Sequence, residues 1–277
     1  YNKKFYNESR NSDGDIQNPL DIFADKLILN SLKQSDIAGY CSEEQERVIE
    51  FNKNGKYLVL SDPLDGSSNI SNNVSIGTIF SIMPMKNLSF DMALRQSGIN
   101  QLCSGFFVYG PQTTLFLTLG VGVHSFIFNE VEKKFIILNE KVNILNDTSE
   151  FSINSSYRRY WSQKVKSYIE TCENGIEGKR KKNFSMRWVG SLVADTSRIF
   201  ARGGIFLYPE DKRKKNKNGR LRLTYEANPI AFLVEQAGGK ATDGMIDILK
   251  VKVREIHQRV PFIFGSKEEV DTFLNTE

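Results

Sequence analysis

Between positions 20 and 32 the apolar residues Leu20, Phe23, Ala24, Leu27 and Ile28 recur at the i, i+3, i+4 spacing of an amphipathic helix with one core-facing stripe. From position 57 the period shortens. Runs at 57–61, 75–83, 103–109, 113–119, 123–128 and 134–138 are β-branched or aromatic and are separated by Gly, Pro and Asn, which predicts a largely antiparallel sheet. Helix and strand then alternate. The expected elements are helices at 160–171, 191–201 and 229–237, strands at 186–189, 204–208, 246–248 and 262–264, and a last helix from 267. Gly238-Gly239 closes the third of these helices, and Asn218-Gly219 marks a tight turn. This order predicts an α/β fold, in the layered α+β sense, with alternating helix and sheet layers.

No repeat or long Pro/Gly/Ser linker interrupts the 277 residues, so the two halves, 1–150 and 151–277, are expected to pack closely as domains. With 40% hydrophobic and 25% charged residues the chain has a globular composition and enough length for a sizeable core. No apolar run approaches the roughly 18 residues of a membrane helix, and the start, Tyr1-Asn2-Lys3-Lys4-Phe5-Tyr6, is polar, so no membrane partner is expected. Cys41, Cys103 and Cys172 are odd in number and widely spaced, which argues against a disulfide framework or a zinc site and for a reducing cytoplasm. A net charge of +4 is modest, but basic residues cluster at 179–182 and 212–217. Such clusters suit anionic partners or simply form solvated loop tips.

The chemistry concentrates in Tyr57-Leu58-Val59-Leu60-Ser61-Asp62-Pro63-Leu64-Asp65-Gly66-Ser67-Ser68-Asn69-Ile70, an apolar strand ending in two carboxylates and a hydroxyl-rich turn. Asp62 and Asp65, separated by rigid Pro63, offer hard oxygen ligands of the kind Mg²⁺ prefers. Gly66 allows close backbone approach to a phosphate, and Ser67 and Ser68 can donate to its oxygens. Asp-Pro-x-Asp-Gly is also an ordinary turn sequence. Further acids at Glu43-Glu44 and Glu226 shift the balance towards a multi-metal phosphoryl site.

The string from Asp62 to Ile70, followed by Val74-Ser75-Ile76-Gly77-Thr78-Ile79-Phe80, resembles the signature of class 1 fructose-1,6-bisphosphatases, within the lithium-sensitive, magnesium-dependent phosphatase superfamily. Gly190 to Asp195, Gly203 to Pro209, Tyr225 to Pro229, Glu235 to Ala241 and Ile256 to Arg259 continue the likeness in family order. The resemblance implies a homotetrameric gluconeogenic hydrolase that uses Mg²⁺, with Mn²⁺ as a substitute, and a metal-activated water. Its small-molecule partner is a sugar bisphosphate. Glu43, Asp62, Asp65, Glu226 and the Leu64 carbonyl match the metal ligands, and Glu44 matches the carboxylate that helps activate the water. Asp21 matches the mobile-loop acid. Asp65, Gly66, Ser67 and Ser68 match the cradle of the departing 1-phosphate. Asn154, Tyr157, Arg187, Trp188 and Tyr208 match the pocket for the retained 6-phosphate, with Arg187 reaching in from a neighbouring subunit. Arg220 falls where the family has a lysine on the sugar and its phosphate.

Three positions depart from the pattern. Trp188 replaces a tyrosine and leaves only an indole donor. Arg220 replaces the lysine's point charge with a planar fork. Relatives carry a carboxylate where this chain has Lys26, which makes Asp25 the candidate second water-positioning acid, although one residue on a helix is about 100° of rotation. His124 and His257 are expected to be structural. A sedoheptulose-1,7-bisphosphatase or dual-specificity enzyme is the nearest alternative, because one pocket can take both sugars. A basic nucleic-acid-binding protein would account for the lysine runs but gives the acids no purpose, so no nucleic acid is expected.

Overall fold

The computed structural model describes residues 9–10, 16–85, 87–213 and 216–277. The polar start 1–6 and Lys214 and Lys215 of the second basic run lie outside the described residues. A short antiparallel pair, β1 (Ser9–Arg10) and β2 (Ile16–Gln17), leads into helix α1 (Pro19–Leu32). Asn18 caps α1 by accepting from the Leu20 amide, while the N3 residue Asp21 accepts from the Asn18 amide, a reciprocal box that fixes where the helix begins.

An eight-stranded sheet follows, built from β3 (Gly39–Ser42), β4 (Ile49–Glu50), β5 (Tyr57–Asp65), β6 (Ile76–Pro84), β7 (Cys103–Tyr109), β8 (Thr113–Thr118), β9 (His124–Asn129) and β10 (Lys134–Asn139). Its order is β10-β9-β8-β7-β6-β5-β3-β4, antiparallel throughout except for the parallel pair β3–β5. The short helix α2 (Phe90–Leu94) lies between β6 and β7.

A second sheet of order β12-β11-β13-β17-β15 uses β11 (Glu150–Ser152), β12 (Ser185–Met186), β13 (Ile205–Tyr208), β15 (Lys240–Thr242) and β17 (Phe262–Gly265). Between the two sheets lie α4 (Leu192–Arg202) and α5 (Asn228–Gln236), and the largest core, with Ile79, Phe106, Val193, Phe200, Leu233 and Phe264, spans all three layers. The far face of the second sheet is covered by α3 (Gln163–Glu173) and α6 (Lys267–Leu274) around Phe151, Tyr168, Ile263 and Phe273. Helix α1 packs on the outer side of β5 and β3. The layers thus alternate helix, sheet, helix, sheet, helix. A two-residue ribbon, β14 (Leu221–Arg222) with β16 (Arg259–Val260), closes the edge near α5.

Some expectations need correction. The apolar stripe of α1 does not face the core: Leu20, Phe23 and Leu27 are 45%, 58% and 52% exposed, whereas Asp21 and Asp25 are buried. The helix turns its acids inward because polar partners await them on β3 and its neighbours, a choice that hydrophobic periodicity cannot register. The strand expected at 246–248 is replaced by a 3-10 turn at Ile248–Lys250, and the strand that pairs with β17 is Lys240–Thr242. Of the expected strand at 186–189 only Met186 is extended, in a two-residue strand with Ser185 before it. Helix α3 begins three residues later than its apolar period, where Ser162 accepts from the Val165 amide at 3.4 Å.

Candidate active site

Successive side chains on a strand alternate between faces, so Asp62 and Asp65, three residues apart, would ordinarily point to opposite sides of β5. A bulge corrects this. Asp62 pairs with Ile79 and Asp65 with Gly77, so three steps on β5 oppose two on β6, and the extra residue brings both carboxylates to one side. The Thr78 hydroxyl pins the bulge by donating to the Pro63 carbonyl at 2.8 Å. Glu226 arrives from a single π-helical turn, Leu223–Ala227, inserted ahead of α5, and its Oε2 accepts from the Arg222 amide at 2.5 Å. Ligand oxygens of Asp62, Asp65 and Glu226 all lie within 4.8 Å of one another, and the three residues are buried.

Such a cluster resists ionisation. Burial, and then repulsion from Glu43, Asp65 and Glu226, holds the Asp62 carboxyl well above its ordinary value. Glu43 is likewise raised, by burial and by Glu226, against the pull of Arg222. Asp65 is pushed up by burial to about 6, a rise moderated by the Val193 amide and the Ser191 hydroxyl, which donate to its Oδ2 at 2.9 and 3.0 Å. The N-terminus of α4 is therefore seated on Asp65. Glu226 is pushed by burial to about 7 despite Arg222. A set of hard oxygen donors that repel one another in a buried corner fits Mg²⁺ or a similar divalent cation, which would offset the repulsion.

Glu43 is not part of the triangle. It follows β3, its amide donates to the Ser61 carbonyl at 3.2 Å, and its carboxylate lies 3.8 Å from the Arg222 guanidinium. Glu44 comes next in the same turn, with its amide on the Ser42 hydroxyl at 3.0 Å. Asp21 is buried beneath the Ser67 turn, and one of its oxygens caps α1. Burial raises its carboxyl, against hydrogen bonds from the Asn18 amide and Ser67.

Asp25 is placed otherwise than expected. It is 2% exposed, and its oxygens accept from the Tyr40 hydroxyl at 3.0 Å, the Ser42 hydroxyl at 2.6 Å and the Gln45 amide at 2.5 Å. Both oxygens are turned to donors of β3 and of the Glu43-Glu44 turn, and no contact of Asp25 supports the expectation that it positions the attacking water.

Beside the triangle, Gly66 adopts a left-handed φ of 75°, and a Cβ there would approach the Ser191 side chain to 3.1 Å, so both conformation and space call for glycine. The turn continues through Ser67 to an exposed Ser68, and Asn69 ties it to the Gly190 carbonyl at 3.1 Å. These donors stand next to the acids, where a phosphate would meet both.

A cavity of about 240 Å³ is lined by Glu43, Asn216, Arg220, Leu221, Arg222, Glu226 and Arg259. Arg222 and Arg259 were not anticipated. They are register partners across β14 and β16, an arrangement of like charges that is unfavourable unless anions face it, and Glu226 feels both. Charge at i, i+2 in Arg220-Leu221-Arg222 was the only sequence signal, and it named no partner.

Arg220 links this cavity to an aromatic end, with its guanidinium 5.8 Å from the centre of the Tyr208 ring. Trp188 stacks on Phe206 at 5.5 Å and meets Tyr208 edge-on at 5.6 Å. Tyr157 lies under the Arg213 guanidinium at 3.7 Å, and a hydrogen bond from Arg213 together with the charge of Arg220 lowers its phenol. Burial raises the Tyr208 phenol, against the charge of Arg220. Arg213 was also missed as an individual residue, because a basic loop in sequence does not say which side chain turns inward. Asn154 caps the turn that carries Tyr157, accepting from the Ser156 amide at 3.2 Å. Arg187 is exposed, 3.9 Å from buried Glu150, and is not brought to this cavity within one chain. His257 bonds the hydroxyl of buried Tyr225 at 2.6 Å.

Acids gathered to hold a divalent cation, with hydroxyls and amides for a phosphate alongside, define a metal-dependent phosphatase. Comparison with known proteins gives the particular one. The family profile described as the fructose-1-6-bisphosphatase N-terminal domain matches residues 6–140, and that of the C-terminal domain matches residues 144–276. The chain is 49% identical to the class 1 fructose-1,6-bisphosphatase of Azorhizobium caulinodans, over 96% of this chain and 82% of that protein. It is 50% identical to a class 1 enzyme of Nitrobacter hamburgensis, over 95% and 76%. The crystal structure of Leishmania major fructose-1,6-bisphosphatase in holo form superimposes with a TM-score of 0.92 at 35% identity, covering 97% of this chain and 84% of that one. This chain therefore belongs to the class 1 fructose-1,6-bisphosphatase family. Among the described residues, no helix is long and apolar enough to cross a membrane.

Proposed function

We propose that the protein hydrolyses fructose 1,6-bisphosphate to fructose 6-phosphate and inorganic phosphate, in gluconeogenesis, with Mg²⁺ as the working cation and Mn²⁺ able to replace it. The observation that carries this reading is the convergence of Asp62, Asp65 and Glu226 within 4.8 Å, beside a cavity with cations on its walls.

Asp62, Asp65 and Glu226, with Glu43 and the Leu64 carbonyl, would hold the cations. Bound there, divalent cations supply neutralisation of phosphoryl charge and a more acidic attacking water. Gly66, Ser67 and Ser68 donate to the oxygens of the 1-phosphate and align it for in-line attack. Glu44, assisted by Asp21, takes a proton from the attacking water; the new bond forms between water oxygen and phosphorus as the bond from phosphorus to the sugar oxygen breaks, and that oxygen acquires a proton. Asn154, Tyr157, Tyr208 and Arg220, with Trp188 as a wall, hold the 6-phosphate, so its binding energy orients the reacting end. Arg187 completes the site of a neighbouring subunit in a cytoplasmic homotetramer. Hybrids of an Arg187→Ala chain with an Asp62→Asn chain test the shared site: recovered activity supports it, and none in hybrids shown to form rules it out. The chain divides near residue 150 into a metal and 1-phosphate unit, 1–150, and a sugar and 6-phosphate unit, 151–277. This is supported by the first sheet ending at Asn139 and the second beginning at Glu150.

The direct experiment is phosphate release from fructose 1,6-bisphosphate with Mg²⁺, with Mn²⁺ and with excess chelator, run beside sedoheptulose 1,7-bisphosphate. Cation-dependent release that favours the fructose substrate is expected. Equal rates in chelator would defeat the metal reading, and preference for the seven-carbon sugar would defeat the substrate assignment.

A further inference from the structure

We propose that Asp25 is a positioning residue for the metal-binding turn, clamping Ser42 and Gln45, the two residues that flank Glu43-Glu44, so that those acids face the reacting phosphate. This rests on the reading above, in which Glu43 holds a cation and Glu44 serves the attacking water.

The connection is continuous through hydrogen bonds. Asp25 lies one turn beyond Asp21 on α1 and enters the protein towards β3. Its Oδ1 accepts from Ser42 Oγ at 2.6 Å and from Tyr40 Oη at 3.0 Å, and its Oδ2 accepts from Gln45 Nε2 at 2.5 Å. Ser42 Oγ in turn accepts from the Glu44 amide at 3.0 Å. A hydroxyl has one proton. With that proton given to Asp25, the Ser42 oxygen turns a lone pair towards Glu44 N–H, so the carboxylate sets the direction of the next bond.

Further bonds brace the same turn, from the Glu43 amide to the Ser61 carbonyl at 3.2 Å and from the Gln45 amide to the Ser42 carbonyl at 3.3 Å. Glu43 and Glu44 are held at both flanks by one buried anion. Its three hydrogen-bond donors are all neutral, so no ion pair accounts for a carboxylate at this place. A hydrophobic residue on this face of α1 would pack, but it would leave Ser42 and Gln45 without the acceptor that orders them. Groups that hold the ligands of a metal in register commonly change affinity or activity by about 10- to 100-fold when removed.

The experiment compares wild type, Asp25→Ala, Asp25→Asn and Gln45→Ala. It measures Mn²⁺ binding to the free protein by electron paramagnetic resonance, the Mg²⁺ concentration for half-activation, kcat, KM for fructose 1,6-bisphosphate and thermal midpoint. Asp25→Ala is expected to weaken Mn²⁺ binding and raise the half-activating Mg²⁺ concentration by about 10-fold or more, with kcat reduced and KM for the sugar nearly unchanged. Asp25→Asn keeps an acceptor for Ser42 and Tyr40, and the Gln45 amide can turn its oxygen to the new donor, so most of the loss is recovered. Gln45→Ala moves the same quantities in the same direction by less.

Wild-type Mn²⁺ affinity in a folded Asp25→Ala chain overturns the proposal. So does a lowered melting point with metal affinity intact, which would mark a packing role only. If Asp25→Ala does not fold, Gln45→Ala decides, and unchanged metal binding there overturns it. A wild-type chain that neither binds Mn²⁺ nor hydrolyses the bisphosphate would instead defeat the underlying reading, and this proposal with it.

Discussion

The two ends of the cleft are built in opposite ways. At the acidic end Asp62, Asp65 and Glu226 are buried, and each is aimed by backbone: a pinned bulge, the N-terminus of α4 and a π turn ahead of α5. At the cationic end Arg220 is exposed, and Arg213 and Arg220 reach Tyr157 from the loop between β13 and β14. Acids that must be crowded against their own repulsion need a rigid frame, since any slack would relax the cluster. Cations that meet a phosphate gain from water access and from reach, and their positions tolerate exchange more readily. The departures from the family pattern at Trp188 and Arg220 both fall at this second end, where, on the proposed function, a different side chain is expected to change affinity before it changes chemistry.

The sharpest test of the contrast is at the acids. Asp62→Asn is expected to lower kcat by on the order of 10³-fold, because it removes charge needed at the transferring phosphoryl. The same variant should leave KM much closer to normal. Arg220→Ala, at the other end, is expected to raise KM by about 10- to 100-fold, the worth of a charged hydrogen bond, with a smaller effect on kcat. Steady-state kinetics on both variants would break the comparison if their effects on kcat and KM were interchanged.

A third measurement reads the acids without substrate. Asp65 is pushed to about 6 and Glu226 to about 7, above the roughly 4 of unfolded carboxyls. In that window the folded chain binds more protons than the unfolded one, so the metal-free protein loses stability as pH rises through 6 to 7. The thermal midpoint in chelator should fall between pH 5 and pH 8, and Mg²⁺ should restore more at pH 8 than at pH 5. A midpoint that rises with pH in chelator would show that the cluster is not strained by its own charge. The smallest effect is expected from Trp188→Tyr. The exchange replaces the indole N–H by a phenol hydroxyl that, on the proposed function, reaches the retained phosphate, so KM should fall by about 2- to 10-fold with kcat unchanged, and a rise in KM would mean that the indole itself is the better wall.

Much of the frame was legible before any coordinates. The strands at 103–109, 113–118 and 134–139 follow their β-branched and aromatic runs, each bounded by turn residues, although the last is exposed along its whole length at the sheet edge. The Asp62 to Ser68 string could be singled out as a group of acids and donors because all of it lies within one strand and one turn, and the structure brings its two aspartates together with Glu226. The orientation of α1 was not legible. Its leucines and phenylalanine have the period of a buried stripe, but the two aspartates, also spaced i, i+4, are the residues that enter the protein.

What the sequence determined by itself is local: many of the strand and helix periods, the rigid Pro63 between two aspartates, and which residue types are available for phosphate chemistry. Tertiary structure alone decided parity and partnership. The bulge that puts Asp62 and Asp65 on one face depends on β6 supplying Thr78, and Glu226 joins them only because a π turn ends against β5. Arg222 and Arg259 become a pair only across two strands far apart in the chain. Asp25 took its place for the same reason: a carboxylate has no direction in a sequence, and it acquires one only when the donors that satisfy it, here Tyr40, Ser42 and Gln45, are folded around it.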